Sequence, residues 1–157
     1  MEFLTLLTSK PALVGLHLAF AVIGIDFFLW LLGEFAAGPV KRARMKIVAV
    51  IGLLGFAMSW LLGGYYYVNY YGPLVKPIIK AGGAPWVHAI VMEAKEHIFL
   101  FIIPLAFIAL FTAFLSREEF ANYKLKLPMI LLAGSIAIMA LAIGGMGYII
   151  SAAARWS

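Results

Sequence analysis

Four apolar runs, each approaching or exceeding the roughly 18 residues that suggest a membrane-spanning helix, decide what this chain can fold into. They extend from about Ala12 to Gly33, Ile47 to Gly64, Ile98 to Leu115 and Met129 to Ile150. Hydrophobic residues make up 65% of the 157, far above the roughly 45 to 50% of soluble domains. The runs leave too little chain for a separate soluble domain. The expected fold class is therefore all-α: an integral membrane four-helix bundle forming a single domain over residues 1–157.

The sequence contains no cysteine, which rules out disulfides, thiolate metal sites, thioether-attached haem and cysteine-ligated iron–sulfur clusters in this subunit. The opening "MEFLTLLTSKPALVG" lacks a basic start and a small-residue cleavage site, so the first run reads as a retained helix. A formal charge of +5 is spread over short links, which suits membrane lipids with anionic headgroups rather than nucleic acid, for which no motif is present. Lys41, Arg42, Arg44, Lys46, Arg117, Lys124 and Lys126 fall in the first and third links; Lys10, Lys76, Lys80, Lys95 and Arg155 fall at the other ends. By the positive-inside rule the first set is cytoplasmic, giving both termini outside, in what reads as a prokaryotic cytoplasmic membrane.

Helix boundaries follow from the punctuation. Gly38 and Pro39 stop the first helix and start the second, and Pro85 after "AGG" opens the third. The expected helices cover about 11–37, 40–71, 85–116 and 128–153. Shifting the sequence by 80 residues pairs His17 with His97, Phe27 with Phe107 and Lys46 with Lys126. A shift of 81 pairs Met58 with Met139, Gly63 and Gly64 with Gly144 and Gly145, and Tyr67 with Tyr148. These matches raise two pseudo-repeated helical hairpins as an option.

Of the three histidines, His17 and His97 carry the sharpest hypothesis. Counting from Glu34 and Arg117, both lie roughly 26 to 30 Å from the inner boundary, on helices running in the same direction. Ionisable side chains within a membrane usually face the bundle interior, and two neutral imidazoles at one level would supply the axial nitrogens of a low-spin haem. Plain helix-to-helix hydrogen bonding is the blander alternative. Gly63 and Gly144 fall at that level, where a porphyrin needs small neighbours, although close helix packing uses the same residues.

His88, nine residues before His97, turns to the opposite face of a regular helix and reads as a surface residue, with Met92 and Glu96 near the same face. Glu93 shares the His97 face one turn away and is a further candidate ligand. Asp26, in mid-span, turns away from His17 and points to a partner subunit or an internal hydrogen bond. The stretch "GGYYYVNYYGPLVKP" forms an aromatic belt with lysines on its wet side. Within it Tyr67 and Lys76 are candidate partners for haem propionates or a quinone headgroup.

With histidines on helices one and three, small residues opposite and aromatic outer ends, the chain resembles the small four-helix b-type cytochrome subunits of respiratory membrane complexes. The resemblance implies an electron-transfer subunit of an oxidoreductase complex. One haem b held by His17 and His97 would pass electrons between membrane quinone and an extracytoplasmic redox partner. Many such subunits hold two haems on four histidines, and three histidines here limit the expectation to one. The alternatives are a non-haem metal-binding or metal-transport protein using His17, His97 and Glu93, and a cofactor-free structural subunit of a membrane complex.

Overall fold

The computed structural model describes residues 2–38 and 42–156; Pro39 therefore lies outside the described residues. Among those residues the chain is helical, without strands. A short helix α1 (Glu2–Leu7) leads into α2 (Lys10–Ala37) and then α3 (Arg42–Tyr66), which continues without a break through a π-helical stretch (Tyr67–Val75) into α4 (Lys76–Ala81). After a turn, a second π-helical stretch (Val87–Met92) opens α5 (Glu93–Phe114), followed by α6 (Arg117–Asn122) and α7 (Lys126–Trp156). Four segments, Lys10–Ala37, Ala43–Ala81, Val87–Phe114 and Lys126–Trp156, are long and apolar enough to cross a membrane. The protein is an all-α membrane bundle.

α3 and α7 each lie beside both α2 and α5, so α2 and α5 stand on a diagonal. The tightest crossing is α2 on α3. A Cβ on Gly55 would sit 2.7 Å from the backbone nitrogen of Gly24, so glycine at both positions lets the helices meet backbone to backbone.

At one end, here called the base, α2 ends beside the start of α3, and α6 connects α5 to α7. Glu34, only 5% exposed, accepts from the Arg44 guanidinium at 2.6 Å and from the Trp30 indole N–H at 2.9 Å. Ser116 and Glu119 cap α6 reciprocally, at 3.1 and 2.7 Å. Above them a membrane core runs up the bundle through Phe35, Met45, Ala113, Phe28, Phe56, Ile102 and Ile136 to Ile143. At the other end, the cap, Tyr71, Val75, Ile79, Val87, Val91, Met92 and Ile150 form a second, separate core.

Of the helix boundaries expected at the base, 37, 116 and 128 agree with the structure to within two residues, and 40 lies outside the described residues. At the cap the first and third helices also start within two residues of expectation, but the second does not end where expected. The second helix was expected to end near Tyr71 but runs on to Ala81, past Pro73 and Pro77. A proline ring clashes with the carbonyl four residues back in an α-helix. The wider π-turns, in which the Lys76 N–H reaches the Tyr71 carbonyl five residues back, relieve that clash without ending the helix.

The pseudo-repeat divides in the same way. A shift of 81 carries the buried Val48, Gly52, Gly55, Phe56 and Ser59 of α3 onto the buried Met129, Ala133, Ile136, Ala137 and Ala140 of α7. On α2 and α5 the buried stripes superpose at a shift of 78, not 80: Leu13 with Val91, Gly24 with Ile102, Phe28 with Ala106, Leu31 with Ala109, Phe35 with Ala113. Two residues are about 200° of helix. At the shift of 78, the residue equivalent to His17 is Lys95.

Candidate functional site

Between the two cores lies a layer of ionisable and hydroxyl side chains. His17 sits on the buried stripe of α2, facing α3. Its Nδ1 is 2.8 Å from the Ser59 carbonyl and 3.0 Å from Ser59 Oγ, and that hydroxyl donates back to the His17 carbonyl at 3.1 Å. A carbonyl only accepts, so Nδ1 carries the proton and Nε2 keeps a free lone pair. Gly63 makes room for the ring, since a Cβ there would stand 2.7 Å from Nδ1.

Lys95 is the next member. It continues the buried face of α5 (Val91, Ile102, Ala106), and a Cβ on Gly147 would lie 3.6 Å from its Nζ, so α7 supplies a glycine where the ammonium passes. Its charge is close enough to act on His17. Glu96 lies beside the Tyr67 side chain and within reach of the charges of Glu93 and Lys76. Its Oε1 is buried with no hydrogen-bond partner. Farther up, His88 is buried at 6% exposure and its Nδ1 is 3.1 Å from the Tyr71 hydroxyl.

From Phe114 to Lys95 is about 28 Å at 1.5 Å per residue, close to the roughly 30 Å of a hydrocarbon core. The layer therefore lies at the cap-side edge of the hydrocarbon, floored by the apolar membrane core and roofed by the cap.

The expected site residues are dispersed rather than gathered. His17 and Gly63 touch each other. His97 is exposed, on the outward stripe of α5 with Leu100, Phe101 and Phe111, and its Nδ1–H donates to the Glu93 carbonyl at 2.6 Å. Gly144 and Gly145 are also exposed, with nothing within 4 Å of a Cβ. Tyr67 joins Glu96, and Lys76 lines an open groove on the cap. His17 and His97 of one chain thus do not bracket a common centre, and the space opposite Gly63 is taken by the His17 ring itself. These residues do not fit a haem held between them within one chain. Among the described residues no three His, Asp or Glu side chains converge on a metal-sized site, so His17, His97 and Glu93 are not assembled either. Asp26 is exposed, outward on α2, as its spacing from His17 implies.

Two sequence readings are corrected here. His88 is buried, not at the surface, and Met92, 8% exposed, belongs to the cap core and not to an external face. Glu96 is half-buried, with Tyr67 beside it. The angle count itself holds, since His88 and Met92 lie buried and His97 exposed on opposite sides of the helix; what differs is which of the two faces turns inward. Sequence reasoning also passed over Ser59 and Lys95. Ser59 lies in an apolar run one turn from Gly63, and Lys95 lies on the extension of the 102, 106, 109 and 113 stripe.

Comparison of the chain with protein-family models, with curated proteins and with solved structures finds no match.

Proposed function

We propose that this chain is a membrane subunit that exchanges protons between the aqueous face at its cap end and the interior of the bundle. The observation that carries the reading is the layer of His17, Lys95, Glu96 and Tyr67 above an apolar floor, with His17 and Lys95 on the buried stripes and Glu96 and Tyr67 half-buried beside them. Ionisable side chains cost several kcal/mol in hydrocarbon, and where they face a bundle interior they mark ion and proton pathways. Glu96 and Nε2 of His17 are the groups that take and hold a proton. Nδ1 of His17 stays committed to Ser59, so the ring receives and returns the proton through Nε2 alone. Phe28, Phe56, Ile102 and Ile136 stop it from going farther, which makes the layer a half-channel and the chain one part of a larger redox or transport complex. The cap end is taken as the outer face, in keeping with the seven-to-five bias of Lys and Arg.

The test is a pH-difference infrared spectrum of the protein in lipid nanodiscs. A protonated-carboxyl band that titrates in the wild type and vanishes in Glu96→Gln supports proton exchange. Identical spectra in the two proteins would remove its main carrier.

A second reading, the b-type cytochrome subunit passing electrons between quinone and an outer partner, is favoured by one observation. Both His17 and His97 commit Nδ1 to a backbone carbonyl and leave Nε2 free, the tautomer a metal ligand needs. It requires the two rings to meet, which the positions of α2 and α5 in one chain do not provide. Oxidised and reduced absorption spectra separate the readings: an α-band on reduction, lost in His17→Ala and in His97→Ala alike, would replace the proton reading with the cytochrome one.

A further inference from the structure

We propose that the cap carries a binding site for an anionic phospholipid, in the groove lined by Tyr67, Val68, Gly72, Lys76, Pro77 and Lys80. The groove encloses about 650 Å³ and opens outward. Lys76 and Lys80 stand one helical turn apart on it, and neither ammonium is held in an ion pair among the described residues. Tyr67 lines the groove with them, and Val68, 71% exposed, gives it an apolar flank.

Depth identifies the source of the anion. Ile79 on α4 packs into the same core as Ile150, beside Ala153 and Ala154 near the end of α7. Those α7 residues lie about 5 to 10 Å beyond Gly147, which is level with Lys95 at the hydrocarbon edge. That is the headgroup zone of a bilayer. Two unpaired ammoniums at phosphate level, above an exposed apolar side chain, match a lipid with a phosphate head and an acyl tail. A free phosphate would make no use of Val68. Glu96 and Glu93 lie within electrostatic reach of Tyr67, and Glu96 within reach of Lys76, but neither carboxylate forms an ion pair with Lys76 or Lys80 among the described residues. The site is independent of the proton reading, because its readout is bound lipid.

The test counts bound lipid by native mass spectrometry of the full chain in detergent, with phosphatidylglycerol and phosphatidylcholine offered in turn. Phosphatidylglycerol is expected to stay bound and phosphatidylcholine to be lost. Each lysine near a membrane surface contributes about a factor of five, so Lys76→Gln with Lys80→Gln should weaken phosphatidylglycerol binding about thirty-fold. Lys76→Arg with Lys80→Arg should keep it, which guards against a folding artefact, and Lys124→Gln with Lys126→Gln at the base should leave it unchanged. Equal binding by the glutamine variant, equal retention of phosphatidylcholine, or inorganic phosphate alone displacing the lipid would each overturn the proposal.

Discussion

The membrane core and the cap core are built from the same kinds of residue but held together differently. In the membrane core, α2, α3, α5 and α7 are regular and the helices approach through small residues: Gly24 against Gly55, and Ala106, Ala109, Ala133 and Ala137 on the buried stripes. Lipid tails are as apolar as the side chains, so packing rather than the hydrophobic effect drives that assembly. In the cap, two π-helical stretches and α4 fold back on the end of α7 around Tyr71, Ile79 and Val87, and a buried histidine needs a tyrosine hydroxyl. The polar layer sits where one regime gives way to the other, at the cap-side edge of the hydrocarbon.

That contrast can be broken by substitution. Gly55→Val should have the largest effect, about 3 kcal/mol or more, because a larger side chain drives α3 off the backbone of α2. It should appear as loss of the folded bundle in detergent unfolding; tolerance of valine would mean that the close crossing is not required. Ile79→Ala, at a fully buried position, should cost about 2 to 5 kcal/mol, confined to the cap. Limited proteolysis would then cut between residues 67 and 92 while the four long helices stay assembled, and a global loss of the bundle would show that the two cores are one unit.

Tyr71→Phe should cost about 1 to 3 kcal/mol by leaving the buried His88 nitrogen without its partner. Protection of the 87–92 amides in hydrogen exchange is the readout, and unchanged protection would contradict it. Ser59→Ala is the mildest, about 1 kcal/mol, since the Ser59 carbonyl still receives Nδ1–H of His17. The imidazole nitrogen resonances should keep the same tautomer, and a switch of the proton to Nε2 would show that the hydroxyl, not the carbonyl, sets it.

The same boundary separates what the sequence made legible from what it hid. Four apolar runs, Gly38 after α2 and the end of α5 near Phe114 can be read directly, because length and hydropathy in lipid admit few alternatives. The cap was not legible. Pro73 and Pro77 look like terminators, and only the π-turns that accommodate them carry the helix to Ala81. The site was half legible for a related reason. His17 and Gly63 were found at one level and do touch, and the depth count put His97 near that level too, but depth does not say which way a side chain faces. The buried stripes pair at 78, and two residues of rotation exchange an outward histidine for an inward lysine.

The placement of Lys95 inside the bundle and His97 outside it is the claim on which the proton reading stands, and the lack of native cysteine makes it directly measurable. Nitroxide labels on Lys95→Cys and His97→Cys, in nanodiscs, report side-chain mobility by electron paramagnetic resonance. The label at 95 should be immobilised among α2, α5 and α7, and the label at 97 mobile and accessible to oxygen dissolved in the lipid. The reverse pattern would turn His97 inward toward His17 and contradict the polar layer described above.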